Sequence, residues 1–224
     1  QVSGSVSFTG TCQADGSISL LSSCLPVSCG GAPSVTNAGL VSGVFTYGQM
    51  VTYTCLTGYT TSGNPTDPST FKATCNYNGQ YIGMSSCLPI NCGTPPAINY
   101  ATYSNVPLTY NQQVAVSCNT GYSVTGTVTG AKSFQLTCTL TASYSGIQSC
   151  LPITCGVPQP TTTAAPLALS SNGGAALYGD SVTYVCNTGY SLNGLVGLQY
   201  ISFSVTCQSS GTFSTASICQ PIAC

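Results

Sequence analysis

The sequence predicts an all-β protein: tandem small β modules, each stapled by disulfides, arranged as an extended rod. Three observations predict it: 15 cysteines in 224 residues, a cysteine motif that recurs along the whole chain, and strand-period alternation around the cysteines with no helical period of useful length. The motif reads CLPVSC at 24–29, CLPINC at 87–92, CLPITC at 150–155 and CQPIAC at 219–224, so successive copies start 63, 63 and 69 residues apart. Recurrence on this scale marks repeated units that stack on their neighbours.

The cysteine content is the first element. Small domains that cannot bury enough surface depend on covalent staples, and such staples persist in oxidising compartments. The chain therefore reads as secreted or displayed on the cell surface. No run reaches the roughly 18 apolar residues of a membrane-spanning helix, so no membrane insertion is expected in this segment. Its start, QVSGSVSF, has neither an initiator methionine nor a signal-peptide pattern, and Gln1 is not expected to be a translation start.

Charge narrows the partners. Two lysines and three aspartates are the only charged residues, 2% of the chain, and histidine is absent. Without a basic stripe nothing neutralises phosphates, which argues against nucleic acid and anionic membrane surfaces. Near-zero net charge removes the repulsion that keeps proteins apart and favours association with other copies of the chain. Serine and threonine make up roughly a quarter of the residues, a composition that fits glycan-bearing surfaces.

The repeat itself comes next. Four cysteines mark each complete unit: Cys29, Cys55, Cys75, Cys87; then Cys92, Cys118, Cys138, Cys150; then Cys155, Cys186, Cys207, Cys219. YGQMVTYTCLTGY, YNQQVAVSCNTGY and YGDSVTYVCNTGY surround the second cysteine, and FKATC, FQLTC and FSVTC lead into the third. Val51, Tyr53 and Cys55 alternate with Thr52 and Thr54, and Phe71, Ala73 and Cys75 with Lys72 and Thr74, the period of half-buried strands. Val182, Tyr184, Cys186 and Phe203, Val205, Cys207 keep the phase, so the staples belong inside each small core. TSGNPTDP at 61–68, NYNG at 76–79 and Gly58-Tyr59 mark turns. A unit of this size is marginal on its core alone, and each disulfide adds about 4 kcal/mol in the chain-entropy model.

These strings resemble complement control protein modules, also called sushi domains, over essentially the whole chain: a C-G-x-P opening (Cys92, Gly93, Pro95; Cys155, Gly156, Pro158), V-x-Y-x-C-x-x-G-Y, F-x-x-x-C and a C-x-P exit. Four cysteines alone allow three connectivities. The resemblance implies first to third and second to fourth: Cys29 with Cys75, Cys55 with Cys87, Cys92 with Cys138, Cys118 with Cys150, Cys155 with Cys207, and Cys186 with Cys219. The family usually carries a tryptophan between the third and fourth cysteines; here Tyr81, Tyr144 and Phe213 stand in that region. The organisation expected is a C-terminal half-module at 1–25, modules at 28–88, 91–151 and 154–220, and the start of another at 221–224. CLPITC then joins two modules through Leu151, Pro152, Ile153 and Thr154, a short and semi-rigid connector.

Two C-x4-C pairs offer four thiolates for zinc, but the repeat partners every cysteine more simply. Cys12, Cys24 and Cys224 are expected to find partners outside this window or in another chain, either in a longer polypeptide or through a head-to-tail polymer in which Cys224 bonds Cys12. No catalytic, metal or cofactor site is expected: a serine nucleophile needs a base, and Asp15, Asp67 and Asp180 read as turn residues. Every Asn-x-Ser/Thr sequon fails, Asn64-Pro65-Thr66 being blocked by its proline. QPTTTAAPLALSS at 159–171 reads equally as an ordinary polar loop or as an O-glycosylation target, with Thr161, Thr162 and Thr163 the candidate acceptors. Tyrosines in the repeated blocks read as core or module-end packing, and Tyr100, Tyr103 and Tyr200 as contacts between neighbours.

The function expected from all this is a structural, self-associating extracellular rod or filament, not an enzyme. The alternative is an adhesion or recognition protein that binds a protein or glycan ligand through its modules.

Overall fold

A computed structural model describes residues 4, 7–19, 23–167 and 174–223. Cys224 and residues 168–171 of the threonine-rich stretch lie outside the described residues. Alternating apolar positions and frequent turns yield short strands. In the first repeat these are β1 (Ser28–Gly31), β2 (Val44–Thr46), β3 (Met50–Thr54), β4 (Tyr59–Thr60), β5 (Thr70–Cys75), β6 (Tyr81–Ile82) and β7 (Leu88–Pro89). The second has β8 (Asn91–Gly93), β9 (Ala101–Thr102), β10 (Leu108–Thr109), β11 (Gln113–Cys118), β12 (Tyr122–Ser123), β13 (Ser133–Cys138), β14 (Tyr144–Ser145) and β15 (Leu151–Pro152). The third has β16 (Thr154–Gly156), β17 (Ala164–Pro166), β18 (Ala176–Leu177), β19 (Ser181–Cys186), β20 (Tyr190–Ser191), β21 (Ser202–Thr206) and β22 (Gln220–Pro221). A three-residue 3-10 turn at Leu198–Tyr200 is the helical exception among the described elements.

Contacts gather the chain into two compact units. One comprises residues 1–93 with 107–112 and 138–143, the other residues 94–106, 113–137 and 144–224.

In the first unit, β3 pairs antiparallel with β5 and β5 with β6. Val51, Tyr53 and Ala73 face inward from this sheet and form the core, with Phe45, Phe71 and Tyr81 packed around them. The pairing Tyr53↔Phe71 stacks two rings at 4.9 Å, the kind of cross-strand pair that stabilises a sheet. The Tyr53 hydroxyl donates to the Pro33 carbonyl at 2.8 Å, so the ring is buried without orphaning its polar end. Tyr81, in the region where the family's tryptophan is expected, sits edge-on to Phe45 and donates its hydroxyl to the Gly30 carbonyl at 3.1 Å. A smaller aromatic thus closes this core. The unit also holds β8 paired with β10 and the bonds Cys29–Cys75, Cys55–Cys87 and Cys92–Cys138.

The second unit contains the sheet β14-β13-β11-β9, with Val116 and Leu136 fully buried, and the sheet β17-β19-β21. Val182, Tyr184, Val205, Cys186, Cys207 and Cys219 form the core around the latter, and Tyr184 stacks on its cross-strand partner Phe203 at 5.3 Å. Phe213, bridged to Cys207, packs against the same core. This unit holds the bonds Cys118–Cys150, Cys155–Cys207 and Cys186–Cys219.

The six bridges close loops of 46, 46 and 52 residues (first to third cysteine) and 32, 32 and 33 residues (second to fourth). Each is worth about 4 kcal/mol in the chain-entropy model, a large increment for a body of roughly sixty residues. The residue after each Gly-Tyr pair is a small hydroxyl residue buried at the end of its core: Thr60, Ser123 and Ser191. Thr60 accepts from the Gly63 amide, Ser123 donates to the Thr127 carbonyl, and Ser191 donates to Asn193. Among the described residues no buried side-chain polar atom lacks a partner.

Candidate functional site: the junctions between repeats

Cys87 and Cys92 bond to different partners, as do Cys150 and Cys155, so each C-x4-C string is a connector between two stapled bodies. Its Leu-Pro half extends the preceding repeat, β7 pairing with β4 and β15 with β12. Its isoleucine is buried, Ile90 to 4% and Ile153 to 1% exposure. That residue is bonded on both sides. The Ile90 amide donates to the Gly58 carbonyl at 2.9 Å, and its carbonyl accepts from the Tyr110 amide at 2.7 Å. Ile153 repeats this with Gly121 at 2.8 Å and Tyr178 at 2.7 Å.

The side chains complete the joint. Gly58 and Gly121, the glycines of the Gly-Tyr pairs, have φ of +85° and +84° and carry the ring of the next repeat's tyrosine directly on their backbone. A Cβ on Gly58 would overlap the Tyr110 ring, and one on Gly121 the Tyr178 ring. Only glycine supplies both the left-handed turn and the room for the ring. At the second joint the packing continues: Tyr100 stacks on Tyr122 at 4.3 Å, and Tyr122 meets Tyr178 edge-on at 5.8 Å. Burial first, then the neighbouring phenols of Tyr100 and Tyr178, raises the Tyr122 pKa above the ordinary tyrosine value. Val128 also reaches across to Gly211, where a Cβ would overlap its methyl group.

Of the tyrosines read as neighbour contacts, Tyr100 belongs to this cluster. Tyr103 does not: its hydroxyl donates to the Pro96 carbonyl and accepts from the Ile98 amide within its own repeat. Tyr200 lies against Gly197 in its own loop. Tyr110 and Tyr178 open two of the repeated blocks, whose tyrosines read as core or module-end packing; what sequence reasoning missed is their partner, the glycine of the previous repeat's Gly-Tyr pair.

The other singled-out residues are elsewhere. Cys12 and Cys24 are exposed free thiols. Asp15 accepts from the Ser17 amide and hydroxyl, which lower its pKa, while Asp180 accepts from the Leu177 amide and Asp67 from the Ser62 hydroxyl. Each closes a turn in its own loop. Thr161 bonds the Ala164 backbone, Thr162 is exposed and Thr163 half-buried. Among the described residues no cluster of three or more His, Cys, Asp or Glu side chains could hold a metal. No described helix is long and apolar enough to cross a membrane.

Comparison with known proteins matches the family model described as Sushi repeat (SCR repeat) at residues 29–87, 92–150 and 155–222. The chain is 31% identical over 205 residues to the rat "Sushi, von Willebrand factor type A, EGF and pentraxin domain-containing protein 1", covering 90% of this chain and 5% of that protein. It is 26% identical over 215 residues to rat C4b-binding protein alpha chain, covering 90% of this chain and 34% of the relative. Against vaccinia virus complement control protein C3 it is 26% identical over 199 residues, covering 87% of this chain and 68% of the relative. The chain thus spans only a small part of the first relatives it matches. With three matched repeats, and with each connector isoleucine buried between a Gly-Tyr turn and the next repeat's tyrosine, this chain belongs to the Sushi repeat family.

Proposed function

We propose that the chain is a non-enzymatic, extracellular protein-binding array of sushi modules, and that the protein it binds first is another copy of itself, building a rod or filament. The observation that carries this reading is the joint: a tyrosine of one module seats on a glycine of the module before it, an intramolecular contact between modules that this chain makes twice. Composition supports the self-directed form. The surface carries five formal charges over 224 residues, and it leaves Leu40, Val44, Tyr77 and Val196 largely exposed. Low net charge with exposed apolar side chains favours association. O-glycans at Thr161, Thr162 and Thr163 would solvate part of that surface, and intact mass before and after chemical deglycosylation tests them.

A second reading, recognition of a different protein, is favoured by the relatives whose names state it, a C4b-binding protein and complement control proteins. Sedimentation velocity across a concentration series separates the two. Mass that grows with concentration supports self-association; a monomer at every concentration that captures a defined heterologous protein supports the second reading and ends the first.

A further inference from the structure

A solvent-open cavity of about 560 Å³ lies in the third repeat, lined by Tyr178, Gly179, Thr206, Gln208, Ser209 and Ser210. That volume is in the range of ligand sites. The side chains that line it are neutral: one aromatic ring, three hydroxyls, a carboxamide and the disulfide-bonded Cys207. None of the chain's five charged residues is among them.

Two small residues open this space, and of the three repeats only the third combines them. Gly179 stands where the first two repeats have Gly48 and Asn111, and Ser209 where they have Tyr77 and Leu140. Gly179 has φ +89°, and a Cβ there would meet nothing within 4 Å. The polar groups of the adjoining turn differ as well. In the second repeat the hydroxyls of Thr139, Thr141 and Ser143 bond one another at 2.8–3.0 Å. In the first, the side chains of Asn76 and Asn78 accept from the amides of Tyr77 and Gln80. In the third, Ser210 bonds Thr212 at 2.8 Å, but the exposed side chains of Thr206, Gln208 and Ser209 bond nothing among the described residues. Those three groups are free for a ligand, beside an aromatic ring.

We infer that this cavity binds a neutral saccharide, one pyranose unit of a glycan. A pyranose carries hydroxyls that donate and accept around its edge, and C–H groups on its two faces. The Gln208 carboxamide both donates and accepts, as do the Ser209 and Thr206 hydroxyls, so neighbouring sugar hydroxyls can be matched without any charge. Tyr178 supplies an apolar wall for a C–H face. An anionic ligand would find no cation here, and a wholly apolar one would leave the hydroxyls and carboxamide unbonded. The inference goes beyond the self-association proposed above and does not depend on it. Tyr178 also covers Gly121 at the second joint, so an occupant of the cavity rests against the ring that closes that joint.

Titration of the isotope-labelled chain with the methyl pyranosides of glucose, mannose, galactose and N-acetylglucosamine, read by amide chemical shifts, tests this. At least one of them should give saturable shifts at Gly179, Gln208, Ser209 and Ser210 with a dissociation constant of about 1–10 mM, ordinary for so small a ligand in an open site. Gly179→Asn and Ser209→Leu place the second repeat's residues at the two small positions; Asn111, at φ +64°, and Leu140 occupy them there, so the module accepts both. Each should weaken binding by about 10-fold or more by filling the cavity, and Gln208→Ala by about 10-fold through lost hydrogen bonds. Unchanged disulfide maps verify the fold of all three variants. Four pyranosides that leave those amides unmoved overturn the inference. So do shifts that persist undiminished in the filled variants, or saturation by a sulfated or sialylated saccharide alone.

Discussion

The two filled joints share one backbone frame and differ in what is placed on it. At the first, Tyr110 covers Gly58 and Ile90 bonds both sides; Asn37, φ +61°, occupies the place that Tyr100, φ +58°, holds at the second. At the second, Tyr178 covers Gly121, Tyr100 and Tyr122 add a stack, and Val128 enters the space left by Gly211. The corresponding turn of the second repeat ends in Ala142 at φ +54°. The lesson is that hydrogen bonds fix where neighbouring repeats meet, while side chains outside the cysteine pattern set how firmly. A left-handed tyrosine is strained by roughly 1–2 kcal/mol. The Tyr122 stack returns a comparable amount, about 0.5–1.5 kcal/mol.

The comparison breaks first where it should show no difference. Cys55–Cys87 and Cys118–Cys150 both span 32 residues and flank the two joints. Replacing either pair by serine should cost about 4 kcal/mol and the same amount within error, measured by denaturant unfolding. Unequal losses would mean that a joint contributes to the stability of the body beside it.

Smaller and more local is the effect of filling a glycine. Gly58→Asn or Gly121→Asn should expel the ring above it at about 1–3 kcal/mol, an overpacking penalty, with the larger loss at Gly121 because the whole tyrosine cluster moves. Thermal unfolding of the two variants in parallel reads the difference. Tyr178→Ala should weaken its joint by about 1 kcal/mol more than Tyr110→Ala weakens the first, the edge contact with Tyr122 being the extra part. Amide exchange at the connector isoleucines measures that gap.

Smallest is the pH response. The raised Tyr122 pKa means the folded state holds its proton more tightly than the unfolded state does. The associated stability is fully present below the unfolded tyrosine value near 10, and is lost as pH rises through the folded value. Near-ultraviolet titration should show a late-ionising tyrosine that Tyr122→Phe removes. Tyr53 and Tyr81, raised mainly by burial, titrate late as well and remain in the variant.

Much of the fold was legible because its signals are local. Alternation at Val51, Tyr53 and Cys55 and at Val182, Tyr184 and Cys186 fixes which face is buried, and those residues are buried. The joints were less legible. Tyr110 and Tyr178 sit in a repeated block, and a fixed position reads as packing without saying that the partner is the Gly-Tyr turn of the previous repeat. Tyr103, read as a neighbour contact, is satisfied by the backbone of its own repeat, while Tyr200 stays exposed beside Gly197. No sequence pattern distinguishes Tyr100, which stacks on Tyr122, from Tyr103, since both place one aromatic in a turn-rich segment. The close approach of Val128 to Gly211 depends on two turns far apart in the chain, and pairing of that kind has no periodic signature.

Hydrogen exchange resolved at single amides tests the central claim most directly. If side chains grade the joints, the Ile153 and Tyr178 amides exchange slowest and those of Ile90 and Tyr110 faster. Equal protection at Ile90 and Ile153, or the reverse order, would contradict it.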